Sequence, residues 1–464
     1  MRNIVLLCLD TVRKDFFDEY APRLVDRADI VYDGCRAASS WSAPSHASMF
    51  TGQLPSEHGI HAYQRNFSVI DREDTFLGEL PEYQALGASS NVWAGSSFGF
   101  DRLFDSFSDV SPDQRFPEGI DVARFGQETE VTGLSRQVAF LRSALAHDYP
   151  LKSLANGAAV QLDRIFQRLP LPKPFDDGAS LLERELGTQI ESSNEPFFGF
   201  VNFMDAHGPV HHARGYDRSL HDAPLSWTAR TVDLEGRIRA GDEETLGWYR
   251  DLYGTSIDYL DRRIIDFVDR IQAATDRETT VVVTADHGND LALTDEQHWG
   301  HNGTRLTEAL LHVPLVVLNA PGDHEEQQTD LVSHLELPEL LVGLANGERP
   351  DITGTDVRAE RIGNSGSMEQ LEAGEMPPED NMVTRALYGD GVKHVWDHHG
   401  NGATYRLNPD RPCWEQTGAG EFDIDELDAA FETDIETVAQ ASRSVDSLEL
   451  DDGTADRLRE LGYL

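Results

Sequence analysis

The chain has 464 residues, enough for one large core and a smaller second one, since single cores seldom grow past ~250–300 residues. Its 82 acidic against 39 basic residues give a formal net charge of −43, which speaks against nucleic acid and anionic membrane surfaces as partners. With 39% hydrophobic residues it is not a disordered acidic chain. Only four basic residues are lysines (Lys14, Lys152, Lys173 and Lys393), and the acidic ones run along the whole length. A surface of this kind needs screening, and at molar salt the Debye length shrinks to ~3 Å; the composition resembles that of salt-accumulating halophiles. No apolar run approaches the ~18 residues of a transmembrane helix, and the one at Ile4–Leu9 is short for a signal-peptide core. Cys8, Cys35 and Cys413 are widely spaced and odd in number, which suggests free thiols in a reducing cytoplasm, with Cys8 in the core.

Asn3–Leu9 reads as a buried strand ending at Asp10. Residues 37–43 are a loop feeding a helix that begins at or next to Ser42, because Pro44 suits a first helical turn and Gly52 a helix end. A helical patch starts at Phe76–Leu80, and Ser89–Ala94 reads as a second strand. Residues 110–190 are mostly helical in pattern, with a Pro-rich break at 169–174. Phe197–Met204 is another buried strand and leads into Asp205-Ala206-His207. Leu252, Ile257, Leu260, Ile264, Ile265 and Val268 recur at helical spacing within a long helix from about Leu246 to Ala274. Thr280–Thr284 is a β-branched strand before Ala285-Asp286-His287-Gly288, and Val313–Leu318 is one more. Strands alternating with helices predict an α/β fold, a mostly parallel sheet flanked by helices. The chain turns polar around 346–380. That divides a large α/β domain (1–350, with 110–190 and 214–245 as insertions capping a cleft) from a small C-terminal α+β domain (351–464). Val383–Leu387, Val392–Trp396 and Ala403–Leu407 form its antiparallel meander, and Ala455–Leu464 reads as a short closing helix.

Three predicted strands end in ligand-type residues. In open parallel sheets, ligands bind beyond the carboxyl ends of strands, so Asp10, Asp286 and His287 can converge there. Two carboxylates and an imidazole make a divalent-metal shell, with Ser42 as the fourth protein ligand. Ser42, at a helix N-terminus where backbone N–H groups and the helix dipole favour an anion, is placed to attack a sulfate or phosphate ester. His207 can protonate a leaving oxygen as general acid. His301, on a Gly-flanked loop, suits a place near substrate or metal. His211 and His212 are expected to face solvent.

These residues stand in motifs. Ser42-Ala43-Pro44-Ser45-His46 followed by Thr51-Gly52 resembles the signature of sulfatases of the alkaline-phosphatase-like superfamily. So do Leu9-Asp10-Thr11-Val12-Arg13, Glu57-His58-Gly59, Asp205-Ala206-His207-Gly208-Pro209, Thr284-Ala285-Asp286-His287-Gly288 and His312-Val313-Pro314-Leu315; the closing Arg457–Leu464 resembles a frequent ending of the family. With the acidic composition, the chain resembles a haloarchaeal-type member. The resemblance implies hydrolysis of an anionic ester of a small molecule or saccharide, with no nucleic acid and no membrane insertion. It implies metal ligation by Asp10, Ser42, Asp286 and His287, a calcium ion, His207 near the leaving oxygen, and conversion of residue 42 to formylglycine. Several positions depart from the family pattern: Thr11 replaces a second Asp, His46 the signature Arg, serine the cysteine, and no lysine lies between Lys173 and Lys393. His46, His301 and Arg305 would then supply the positive field around substrate. His287 stands where calcium sulfatases often have Asn, which tilts the metal toward manganese or zinc. A sulfatase is the leading reading. The alternatives are a phosphodiester or phosphonate ester hydrolase, or a phosphoryl-group transferase, using unmodified Ser42; a binding protein that lost turnover is the third reading.

Overall fold

Seven consecutive buried residues, Asn3–Leu9, form strand β1 of an eight-stranded sheet in the computed structural model of this protein. The structure describes the chain apart from scattered positions between 113 and 132, residues 167–168, 170, 194–195, 294–297, 323–325, 355–356, 365–381, 390, 419–422, and 443–464 except Thr454 and Leu458. The other strands in chain order are β2 (Ile30–Arg36), β3 (Gln84–Ser89), β4 (Ser106–Asp109), β5 (Phe197–Phe203), β6 (Thr279–Thr284), β7 (Asp290–Leu291), β8 (Trp299–Gly300), β9 (Leu315–Leu318) and β10 (Glu326–Ser333). The large sheet runs β10-β2-β9-β6-β1-β5-β3-β4, while β7 and β8 pair as a separate ribbon. Only β9 runs antiparallel, to both β2 and β6. Central parallel strands are covered on both faces, which is why β1, β5 and β6 are apolar or β-branched nearly throughout and fully buried. The covering helices include Ala179–Ser192 against β5 and β3, Glu243–Ala274 against β6, and Leu337–Asn346 against β1.

A strand read from the sequence is shifted. In place of Ser89–Ala94 the strand is β3, Gln84–Ser89, and Ser90–Ala94 is the loop that follows it. Polar Ser90 and Asn91 are buried there by side-chain hydrogen bonding rather than by a ladder. The closing helix read at Ala455–Leu464, and the Arg457–Leu464 ending, lie outside the described residues, Leu458 excepted.

A second sheet is antiparallel throughout, in the order β11 (Arg358–Ile362), β12 (Val383–Gly389), β13 (Val392–Asp397), β14 (Gly402–Leu407), β15 (Glu415–Thr417). Its first strand is tied to the stretch that enters the Ser42 helix. Glu360 N–H donates to Ala38 O at 2.9 Å, and Ser39 Oγ donates to Glu360 O at 2.9 Å. The buried Glu360 carboxylate takes Ser56 N–H at 2.7 Å and Arg385 Nε at 2.9 Å. No helix among the described residues is long and apolar enough to cross a membrane.

The Ser42–Thr51 helix ends at Gly52, whose left-handed φ of 70° closes the last turn. His58 braces its far side: the ring's Nε2 meets Ser48 Oγ at 3.1 Å, and Nδ1 accepts Ile60 N–H at 3.0 Å. Burial, with the neighbouring His61 ring, pushes the imidazole down to about 3. Between pH 6.5 and 3 the unfolded chain therefore binds this proton and the folded one does not, so this contribution is present above pH 6.5 and lost on acidification. His58→Asn keeps an acceptor near Nδ1 without a titrating group. Urea unfolding at pH 7 and pH 5 is expected to show the parent chain losing about 2 kcal/mol more than the variant. Equal losses would refute this assignment.

Candidate active site

The order β6-β1-β5-β3 is parallel throughout, so four strands deliver their carboxyl ends to one rim. Asp10 directly follows β1, Asn91 lies just past β3, His207 just past β5, and Asp286-His287 just past β6. Ser42 is the first residue of its helix, after extended Trp41. All of Asp10, Ser42, His46, Asp286 and His287 are fully buried. The turn after β1 carries backbone strain: β-branched Thr11 sits at φ 61°. Tyr253 holds it, donating its hydroxyl to Thr11 O at 2.7 Å, and in this conformation Thr11 N–H reaches Asp286 Oδ1 at 3.2 Å. Gly288 is required by space, because a Cβ there would collide with the Ala309 carbonyl. Its N–H meets Leu310 O at 2.8 Å and fixes the loop behind His287.

Ser42 Oγ lies 3.3 Å from Asp10 Oδ2 and 3.4 Å from His287 Nε2. His287 Nδ1 is held by Gly288 O at 2.8 Å, so that nitrogen carries the proton and Nε2 presents its lone pair to the site. His287 Nε2 is 3.5 Å from Asp286 Oδ2. One ligand atom each from Asp10, Asp286 and His287 lie within 4.8 Å of one another. Asp10 Oδ1 and Asp286 Oδ2 are buried and have no hydrogen-bond partner. Two orphaned carboxylate oxygens facing an imidazole lone pair are a donor set that fits a divalent cation. The electrostatics agree. Burial, with the neighbouring Asp286 charge, pushes the Asp10 carboxyl well above the usual range. Burial would raise Asp286 too, but His287, His46, Thr11 N–H and Ser42 together hold it below the ordinary value.

The Sulfatase family model matches residues 2–347. The chain belongs to the sulfatase family. Its fold is that of phosphonate monoester hydrolase from Agrobacterium radiobacter, with a TM-score of 0.59 at 16% identity over 100% of this chain and 95% of that one. A protein solved with its substrate D-glucosamine-2-N,6-O-disulfate matches at TM-score 0.55 and 12% identity, over 87% of this chain and 91% of the other. A member of the alkaline phosphatase superfamily from Vibrio parahaemolyticus matches at 0.52 and 12%, over 95% and 87%. No curated protein matches the sequence.

In this sulfatase-family site three imidazoles form a row above the buried cluster. The His301 ring is 4.9 Å from that of His287 and 5.2 Å from that of His207. Burial depresses His207 to about 4 and His301 well below its ordinary value, helped in His301 by the His287 and His207 rings. His46 lies beneath Ser42: Nδ1 donates to Ser42 O at 2.7 Å and Nε2 meets the Asn202 amide at 3.0 Å. It thus supports the first turn of the helix, 3.8 Å from Asp286 Oδ2. Arg305 bonds Asp290 at 3.2 Å and the carbonyls of Trp299 and Gly300 at 3.2 and 3.3 Å, which closes the ribbon leading to His301. Asp205 turns away from the cluster and accepts Asp177 N–H at 3.1 Å. His211 and His212, expected in solvent, are buried: His211 Nε2 pairs with Asp177 at 2.9 Å, and His212 Nε2 meets Pro224 O at 2.9 Å. Sequence reasoning passes over four contributors. Asn91 donates to Asp10 Oδ2, Asn202 holds His46, and Asn289 meets His301 Nδ1 at 3.3 Å. The fourth, Arg361 on β11, bonds Ser40 Oγ at 2.9 Å and stacks on Trp41. The signal for the asparagines is their place at or just past strand ends; nothing local marks Arg361.

Proposed function

We propose that the protein hydrolyses a sulfate ester of a small molecule or saccharide, with residue 42 as nucleophile and a divalent ion held by Asp10, Asp286, His287 and Ser42. The observation that carries this reading is the Ser42 hydroxyl, at a helix N-terminus, 3.3 Å from Asp10 and 3.4 Å from His287 beside two unpartnered carboxylate oxygens. A bound cation would supply neutralisation of the ester's charge and a lowered pKa for the nucleophile. Backbone N–H groups of the first helical turn, with the helix dipole, bind the ester's anionic oxygens. His46 and Asn202 fix that turn from below. Residue 42 acts either as the serine hydroxyl or, after oxidation, as the gem-diol of formylglycine. The ester's negative charge counters the burial that depresses the His207 imidazole, so that Nε2 takes up a proton and gives it to the leaving oxygen; Gly208 O holds Nδ1 and sets the ring's orientation. The substrate of one structural neighbour, D-glucosamine-2-N,6-O-disulfate, supports a sulfated saccharide.

A second reading is a phosphonate or phosphodiester hydrolase on unmodified Ser42. Two observations favour it: the phosphonate monoester hydrolase likeness, and a nitrogen donor at 287 that suits manganese or zinc better than calcium. Mass spectrometry of the peptide holding Ser42 separates the two nucleophiles. Aryl sulfate, phosphate diester and phosphonate esters, assayed with calcium, manganese and zinc at molar salt, separate the substrates. Turnover of none of them refutes the ester-hydrolase reading.

His207→Ala tests the proton donor. The variant is expected to lose about 10²–10³-fold in kcat/KM on alkyl esters and under about tenfold on a nitrophenyl ester, which leaves without a proton. Equal losses on both would assign His207 to binding.

A further inference from the structure

The large apolar side chains that stand exposed among the described residues, Met1 and Val69 apart, all lie between Val131 and Leu171. They are patterned. On the Gly133–Ala146 helix, Leu134, Val138, Leu141 and Leu145 fall four, three and four residues apart, one stripe of a 3.6-residue period. On the Pro150–Phe166 helix, Leu151, Leu162 and Ile165 repeat at 11 and three. Leu134 and Leu151 are 79% and 81% exposed, so these are not core positions. The helices pack on each other elsewhere: the Phe140 ring occupies the space a Cβ at Gly157 would need, and Ala144 is buried. The second helix is anchored by its opposite side. Asn156 exchanges hydrogen bonds with the Phe116 backbone at 2.9 Å, and Ser153 Oγ accepts Ile120 N–H at 3.0 Å. Both leucine stripes are left in water, which a monomeric surface rarely tolerates.

The charge of this segment is inverted. Between 131 and 173 the basic residues are Arg136, Arg142, Lys152, Arg164, Arg168 and Lys173, against only Asp148 and Asp163, in a chain of net charge −43. Lys152 pairs with Glu118 and Lys173 with Asp163 and Asp177, whereas Arg142 stands exposed next to Leu141 of the first stripe. We propose that this helical hairpin is a docking face for an anionic lipid surface, with the leucine stripes entering the headgroup boundary and the basic charge of the segment, Arg142 foremost, meeting lipid phosphates. Leucine stripes beside arginines are the composition of helices that lie in a membrane interface. A second copy of the chain fits less well. No comparable apolar patch exists among the described residues, so the hairpin could meet only its own counterpart, which sets two segments of like charge together. The net charge of the chain, which argued against membranes, averages over this one region of opposite sign. The hairpin leaves the sheet after the carboxyl end of β4, the rim that also carries Asp10, and returns at Asp177, which bonds His211 in the loop after His207. Docking would hold that rim toward the lipid.

Vesicle flotation of the full chain tests this, with phosphatidylglycerol or phosphatidylcholine vesicles in salt that keeps its circular dichroism native. The chain is expected to float with phosphatidylglycerol in preference to phosphatidylcholine, the preference narrowing as salt rises. The double variant Leu141→Glu/Leu145→Glu replaces two exposed side chains, so its circular dichroism is expected to be unchanged while its floated fraction falls about tenfold. Flotation with neither vesicle overturns the proposal, as does flotation indifferent to the substitutions or to lipid charge. A dimer by mass photometry that the substitutions dissolve also overturns it and assigns the face to a second copy.

Discussion

Replacing Ser42 with alanine is expected to lower kcat on the ester that the protein turns over by ~10⁴-fold or more while leaving the fold intact. The Oγ lies against Asp10 and His287 and also bonds Asp286, and each has another anchor: Asn91 for the first, Gly288 O for the second, and Thr11 N–H for the third. The variant therefore loses the attacking oxygen without exposing a new unpaired group, and its stability should move by less than about 1 kcal/mol. Residual turnover, from helix-terminal binding and His207, is expected to fall on KM far less than on kcat, because a nucleophile contributes chiefly in the transition state. Steady-state kinetics and urea unfolding on the same preparation check both halves. Unaltered kcat with native stability would remove Ser42 from the chemistry and favour the non-catalytic reading of the fold.

The site was legible where chemistry and local pattern coincide. Asp10, Asp286 and His287 each follow an apolar strand, and strands buried on both faces announce themselves as unbroken runs. The helix start at Ser42 was readable from Pro44 and Gly52 because helix ends have local rules. What escaped is what no local pattern encodes. β2 and β10 lie at or next to the sheet's edge; the polar run Glu326–Ser333 pairs through its backbone and carries no hydrophobic alternation. The strand placed at Ser89–Ala94 shows the reverse error. Its polar residues turn inward, and Asn91 is buried to serve Asp10. His211 and His212 looked like solvent residues because their partners, Asp177 and Pro224, are brought to them by the fold and not by any local pattern.

Arg361 is the sharpest case. It lies more than 300 residues from Ser40, on the first strand of the small sheet, yet its guanidinium bonds Ser40 Oγ and stacks at 5.5 Å on Trp41, directly before Ser42. Its charge also bears on His287 and His301, opposing their protonation after burial has done most of that work. The small sheet thus contributes a fixed positive charge behind the Ser42 helix. For such a charge the lysine-poor sequence had offered only His46, His301 and Arg305.

Asp10→Asn is expected to stabilise the metal-free protein and to abolish its stabilisation by a divalent ion. In the metal-free fold two buried carboxylates stand together, and burial with the Asp286 charge pushes Asp10 upward, so the folded chain holds this proton more tightly than the unfolded one. The sign follows: the contribution of Asp10 is favourable at low pH and is lost as pH rises above its unfolded value near 4. The isosteric amide escapes that loss. Its oxygen can still accept from Asn91, and the variant is expected to gain about 1–3 kcal/mol at pH 8 in chelator, with the gain shrinking toward pH 4. The same substitution removes one of the two charges that hold a cation. An ion at a thousandfold excess over its Kd stabilises a folded protein by ~4 kcal/mol, and most of that increment should vanish in the variant. Urea unfolding with and without calcium, manganese or zinc, at pH 5 and pH 8, measures both effects on one protein. A variant weaker than the parent in chelator, yet stabilised equally by metal, would mean that Asp10 holds the turn after β1 and not the ion. A variant stronger in chelator and blind to metal would make the pair a site whose repulsion is maintained for the cation it binds.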